Sequence, residues 1–426
     1  MRTALRAAVV LAVLGLSIRA AQGMEPGLDY FADPGAAIDA LARGDLAGFF
    51  ASQPLMGSFS LILRAPFVSL VFHQSEATVY LAGAIPCLLA TLVLGAVLGR
   101  LVAARGQPAA VQGAVMGLAV INPVTFKALH WGHPEELLAA ACCVGAVLAA
   151  TRERDVLAGV LLGLALATKQ WALIAVLPAL LAAPEHRLRL GGTAAVVACV
   201  LTLPMALANP GEFIGVVHEA TGGRPESRFT TPWNLLWPMA QAMDLPGGRT
   251  VFVSPEWIAR LSHPLIVVIG IPAAYLLWRR GNRRADDALL LLALLFLLRC
   301  LLDNWNNDYY HAPFLLALLA WETARRPRLP YLSMAWVAAL SVSFWPQLTK
   351  IFSDSTPYAP TLNAVYLAWT LPLAAYLALQ LYAPDRASAL ADRLADHRLR
   401  SPRLLRAPQA WAHKTSRQPG AGHSAH

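Results

Sequence analysis

Residues 286–323 read DDALLLLALLFLLRCLLDNWNNDYYHAPFLLALLAWET. Two aliphatic runs, 286–302 and 311–323, flank a short polar turn, and Arg299 is the one cation set within either run. Runs of this kind use lipid as their solvent and cross it as helices. The turn between them, Asp303 to His311, is unusually rich in carboxylate, amide and aromatic groups. Working outward, the whole chain repeats the pattern. It is 57% hydrophobic and 14% charged, where soluble domains hold roughly 45–50% and 25%, and its mean hydropathy is +0.51. An ordinary soluble enzyme is excluded. Alternating ten-residue barrel strands are absent, so the spans are helices. The 12 Trp and 30 Pro belong to interfaces and bent spans rather than to featureless anchors.

The expected fold is therefore an all-α polytopic membrane bundle of about twelve hydrophobic helices. Spans are expected at about 78–99, 109–124, 136–151, 190–208, 264–279, 286–302, 311–323, 331–346 and 362–382. Residues 1–22 read as a retained first helix, although a basic start and a small-residue end also resemble a cleavable signal. Long outward loops fall at about 23–77 and 209–263. Within the first, Gly57 to Phe72 reads as a helix lying along the interface, because Arg64 and Pro66 interrupt it. Val156 to Ala183 is too short for two full spans, so a pair of short helices is expected, joined at Thr168-Lys169-Gln170-Trp171. The bundle domain is 1–382, and 383–426 is a basic, disordered cytoplasmic tail near anionic lipid.

A net charge of +9 would suit nucleic acid, but the placement of the basic residues speaks for orientation. Six basic stretches, with Arg2 and Arg6, hold 23 of the 34 Lys and Arg, and all would face one side. That asymmetry follows the positive-inside rule and puts both termini in the cytoplasm of a plasma-membrane protein. No nucleic-acid partner is expected. The five cysteines lie in apolar segments without zinc or redox spacing and read as buried small residues.

The outward end collects Asp29, Asp33, His130, His133, Lys169, Arg299 and the Trp305 to His311 cluster. A channel or pump would place ionisable groups at successive depths, whereas these gather at one end like a single site. Plainer roles stand beside each. The four carboxylates of 29–45 also suit solvent or helix caps; Lys169 also suits snorkelling; Arg299 also suits a pair with Asp303. Arg19, Arg43 and Arg64 suit lipid head groups. His130-x-x-His133-x-Glu135 has metal-ligand spacing, but Pro134 interrupts it and no third ligand is visible, so no metal and no cofactor is expected. Glu135 and Glu136 suit the start of the next helix.

The order of short motifs resembles the glycosyltransferase-C superfamily, in the branch of polyprenyl-phosphate-mannose-dependent mannosyltransferases that includes glycosyltransferase family 87. Asp29 precedes a small-residue helix from Ala36 to a Gly44-Asp45 pair, and an apolar, proline-containing stretch comes next at Ser58 to Pro66. A Gly-Leu-Ala-x-Ala-x-Lys half-helix stands at Gly163 to Lys169, with Gln170 where that branch often has Pro. Trp305 to His311, then Pro313, stands where the branch more often has Trp-x-His. The resemblance covers most of residues 1–325. It implies a GT-C-like bundle that moves a hexose, mannose above all, from a polyprenyl-phosphate donor to a glycolipid or cell-envelope glycan acceptor, with inversion and without metal. It implies Asp29 or Asp33 as the base, Lys169, Arg299, His130 and His311 around the donor phosphate, and Trp305, Asn306 and Tyr310 against sugar or acceptor. A leaving phosphate needs no protonation, so one base suffices, where glycosidases need two paired carboxylates. The competing reading is a polytopic transporter or lipid flippase, since broken helices also build transport sites; the two long outward loops favour the enzyme. A non-catalytic assembly subunit is a third reading.

Overall fold

The computed structural model describes residues 29–54, 57–71, 73–218, 228–245, 250–281, 284–344, 358–387 and 389. The expected first helix at 1–22, with Arg19, and most of the tail lie outside the described residues. Among those described, five helices are long and apolar enough to cross a membrane: Glu76–Ala104, Ala109–His130, Arg187–Ala208, Glu256–Arg279 and Ala359–Tyr382. The protein is a membrane-embedded helical bundle.

Three shorter helices, Pro134–Ala150, Asp287–Leu302 and Ala312–Arg325, form its centre. They are apolar on every face, and nearly every residue in them is buried, as a helix enclosed by other helices requires. The outer helices instead leave large aliphatic side chains exposed, Val196, Val200, Leu203 and Leu207 on Arg187–Ala208 among them. Such surfaces suit acyl chains. Asp155–Leu166 packs on Arg187–Ala208 through Gly159 and Gly163, where a Cβ would lie 2.6 Å from Leu190 O and 2.7 Å from Ala194 O. Small residues four apart allow this backbone approach.

The expected pair of short helices between 156 and 183 is present. Asp155–Leu166 ends, Lys169 is extended, and a 3₁₀ turn at Gln170–Ala175 leads into Val176–Ala182. The carbonyls freed at the break accept from Gly57 N (3.1 Å to Thr168 O) and Phe59 N (3.0 Å to Ala167 O). Backbone satisfaction from a neighbouring segment is what permits a broken helix at this depth. The donor segment opens Ser58–Ser69, the helix expected along the interface; it packs inward, with Arg64 wholly buried. The lipid-head-group role of Arg64 is thereby corrected: its guanidinium pairs with Glu135.

The described part of the second long loop carries secondary structure. It holds Pro210–His218 and an antiparallel sheet of β1 (Phe229–Thr230), β2 (Gln241–Asp244) and β3 (Thr250–Val253), with β3 central. The purely all-α expectation thus gains a small β element. Helix Glu256–Val268 begins eight residues before the expected span, with Pro264 inside it. Four cysteines are buried as expected, but Cys199 is exposed on the outer face of Arg187–Ala208.

Candidate active site

Four segments converge at one end of the central helices. The first is the turn from Asp29, which continues as a π-helical Phe31–Gly35 with Pro34 inside it. The second is Trp131–Glu136. Pro134 stands at the first helical position and Glu135 and Glu136 in the first turn, the residue types a helix start favours. The third is the broken junction at Lys169–Trp171. The fourth is the end of Asp287–Leu302 with the 3₁₀ turn Asp308–His311.

Gly132 lets the first two segments touch. Its φ is +87°, and a Cβ there would lie 2.8 Å from Tyr30 N. The glycine carries the chain past Tyr30 and delivers His133 to Asp29. His133 Nε2 lies 3.0 Å from Asp29 Oδ2, and Nδ1 lies 3.0 Å from Glu135 Oε1. Its ring stacks on Tyr309 at 4.7 Å. Burial opposes the charged ring, but the hydrogen bonds to the two carboxylates prevail and raise its pKa to about 9. The same His133 hydrogen bond lowers the pKa of Asp29. Asp33, by contrast, is held above the usual carboxylate range by burial.

Behind this pair lies a buried ionic network. Glu135 Oε1 also meets Lys169 Nζ at 3.0 Å, and Glu135 Oε2 meets Arg64 at 3.5 Å. Glu136 joins Lys169 at 3.5 Å and Arg299 at 3.6 Å, and it accepts from Trp171 Nε1 at 3.0 Å. Arg299 is sandwiched between the rings of Trp171 and Tyr310, at 4.7 and 4.8 Å. Stacking and forked donors suit arginine here and would not be reproduced by lysine.

Part of this network faces a cavity of about 380 Å³, with Arg64 and Glu135 buried behind its wall. Asp33, His133, Glu136, Lys169, Arg299 and Asp303 form its polar wall, Trp171, Tyr309 and Tyr310 supply aromatic faces, and Leu173, Ile174, Pro264, Ile266 and Val267 form an apolar wall. His263 also lines it and lies 3.7 Å from Asp303. A phosphorylated amphiphile matches this division: cations for a phosphate, carboxylates for a hydroxyl proton, and an apolar side for a chain.

The expected residues divide into two groups. Asp33, Lys169, Arg299 and Tyr310 line the cavity together, while Asp29 does not line it and is tied to it through His133. His130 is exposed beside Trp131 and does not line the cavity; its neighbour His133 does. His311 and Asn306 are wholly buried in a different network. His311 Nδ1 donates to Asn307 O and Asp308 O at 3.2 Å, while Nε2 accepts from Tyr366 OH at 2.9 Å. Asn306 donates to Trp233 O at 2.5 Å and to the same Tyr366 oxygen at 3.1 Å. The ring nitrogens of His311 and the amide nitrogen of Asn306 are committed to protein partners, so they brace the site from behind. Trp305 is half exposed on the outer turn. Asp45 is a helix cap, accepting from Gly48 N at 2.9 Å. His133, Glu135, Glu136 and Trp171 carry more of the site than their sequence positions announced.

The model of glycosyltransferase family 87 matches residues 55–302, 248 of the 426 residues. Arg64, His133, Glu135, Glu136, Lys169, Trp171 and Arg299 all lie inside the match, while Asp29, Asp33 and Tyr310 flank it. No curated protein and no solved structure matches the chain. With more than half its length matched, and with His133, Glu136, Lys169 and Arg299 of that stretch lining one cavity, the chain belongs to glycosyltransferase family 87 and is a glycosyltransferase.

Proposed function

We propose that the chain transfers a hexose, mannose by resemblance, from a polyprenyl-phosphate carrier to a glycolipid or cell-envelope glycan at the extracytoplasmic face of the plasma membrane. The observation that carries this reading is the single cavity in which Asp33, His133, Lys169 and Arg299 face an apolar wall. In the reaction, an acceptor hydroxyl oxygen attacks the anomeric carbon and the bond from that carbon to the phosphate oxygen breaks. The electron pair leaves with polyprenyl phosphate, and the configuration inverts. Lys169 and Arg299 offset the charge on the departing phosphate, while Tyr310 and the outer Trp305 lie toward sugar and acceptor. Asp29 takes the hydroxyl proton on Oδ1, since Oδ2 is held by His133. Asp33 is the second reading for the base, because it lines the cavity and its carboxylate is the more basic of the two. The bundle is GT-C-like, with about twelve spans, both termini cytoplasmic and the basic tail along anionic lipid.

Membranes holding wild type, Asp29→Asn, Asp33→Asn or Lys169→Met at equal abundance are incubated with labelled polyprenyl-phosphate mannose and total cell lipids. Loss of label transfer in Asp29→Asn and Lys169→Met, with transfer retained in Asp33→Asn, is the expected result. The reverse pattern for the two aspartates moves the base to Asp33. Failure of the wild type with mannose and every other hexose donor overturns the donor class.

A further inference from the structure

His133 makes contacts on both nitrogens and on one ring face, yet the transfer chemistry uses none of its atoms directly. Both nitrogens lie 3.0 Å from carboxylate oxygens. A neutral imidazole offers one donor, so hydrogen bonds to both carboxylates require the imidazolium, which donates twice. The ring is fixed in rotation by its stack on Tyr309 and in position by the left-handed turn at Gly132. Glu135, the partner of Nδ1, is itself wholly buried and immobilised by Lys169 and Arg64. Asp29, the partner of Nε2, is instead open to solvent, with its side chain 56% exposed.

We propose that His133 is a positioning residue: an imidazolium, braced by Glu135, that grips one oxygen of Asp29 and aims the other at the acceptor hydroxyl. This rests on the reading of Asp29 as the base. It explains how a carboxylate on an exposed turn keeps a fixed direction, and why a buried glutamate sits two residues beyond the histidine. The titratable groups around His133 come from every element packed near it: the carboxylates Asp29 and Asp33 from the first turn and Glu135 and Glu136 from its own helix, the cations Lys169 from the junction and Arg64 from Ser58–Ser69, and the neutral Tyr309 stacked on it from the opposing turn. The carboxylates outnumber the cations there, so the ring holds its second proton through neutral pH. As pH rises through about 9 the proton leaves, Nε2 ceases to donate, and Asp29 is released.

The test uses the full-length protein in lipid nanodiscs. His133→Ala lowers kcat for transfer from labelled polyprenyl-phosphate mannose about 100-fold, the loss that a misplaced reacting group produces, with KM for the donor little changed. His133→Gln keeps an amide donor at the Nε2 position, so it recovers much of kcat and lacks the alkaline limb that wild type shows near pH 9. Glu135→Gln moves that limb to lower pH. An independent readout is the spectrum of ¹⁵N-labelled histidine, in which the His133 signal, assigned by its loss in His133→Gln, stays imidazolium to about pH 9. Titration of that signal at an ordinary histidine pKa, or wild-type kcat in His133→Ala, overturns the proposal. If Asp29→Asn is inactive while His133→Ala is unchanged, this inference alone falls. If Asp29→Asn retains full transfer, the assignment of Asp29 as the base falls, and the ¹⁵N titration still decides the charge state of His133.

Discussion

Arg64→Met removes one partner of a fully buried ion pair, and its cost can be worked from the geometry. Arg64 and Glu135 both have side-chain exposures of 0% and approach to 3.5 Å. At an effective dielectric of 20, two unit charges at that distance attract by about 5 kcal/mol. The substitution also relieves the burial of the guanidinium itself, and Glu135 keeps Lys169 and His133. The net loss therefore falls at about 3 kcal/mol, the low end of the cost of deleting one member of a buried pair. That corresponds to roughly 150-fold in the ratio of folded to unfolded protein. The Nε donor to Gly83 O (3.1 Å) and the contact over the Tyr30 ring (4.7 Å) are lost as well, so the figure is a lower bound. Reversible unfolding of the purified protein in mixed micelles measures it, together with Glu135→Gln and the double variant. Removing both charges costs less than the sum of the single losses, by about 2 kcal/mol of coupling. A loss under about 1 kcal/mol for Arg64→Met, or strict additivity in the cycle, refutes the argument that this pair holds Ser58–Ser69 against the bundle.

Two other substitutions test the geometry elsewhere in the site. Gly132→Ala forces a left-handed φ on alanine and sets its Cβ 2.8 Å from Tyr30 N, so transfer falls more steeply than folded yield, measured as activity per mole of protein surviving size-exclusion chromatography. Tyr366→Phe removes the hydroxyl that donates to His311 and accepts from Asn306; two buried partners lose it together, and the unfolding free energy drops by about 1–3 kcal/mol with KM for the donor unchanged.

The sequence made the apolar runs legible because lipid imposes a composition on whole segments. It made the break at Thr168–Trp171 legible because length alone forbids two spans there. What it hid are pairings between distant positions. Nothing local to Arg64 shows that it meets Glu135, 71 residues later, and an arginine in an outward loop reads equally well as a lipid contact. The choice between His130 and His133 turns on the left-handed turn at Gly132, which faces one histidine inward and leaves the other in the open. The strands at Phe229–Thr230, Gln241–Asp244 and Thr250–Val253 are only two to four residues long and carry no clean alternation. They are held by side-chain and backbone bonds from Asn304, whose amide donates to Phe229 O at 3.0 Å and whose oxygen accepts from Ser254 at 2.5 Å. Asn306 reads as a sugar contact for the same reason it serves as a brace. An amide offers donors and acceptors to any partner, and only the fold says which it meets.

Under the proposed function, these same pairings decide how the donor is received. Lys169 and Arg299 are not bare cations awaiting a phosphate; Glu135 and Glu136 already hold them. An unpaired cation at this depth would destabilise the protein before any substrate arrived. Glu136 is the shared member, touching Lys169, Arg299 and Trp171 at once. A phosphate entering the cavity therefore competes with Glu136 for both cations, while Glu135, locked between His133 and Arg64, stays in place. Under the proposed function the two adjacent glutamates divide the work: one holds the framework around His133 and Asp29, and the other partly offsets Lys169 and Arg299 until the donor phosphate replaces it. Adjacent positions at the start of one helix point about 100° apart, which lets a two-residue sequence serve two different partners.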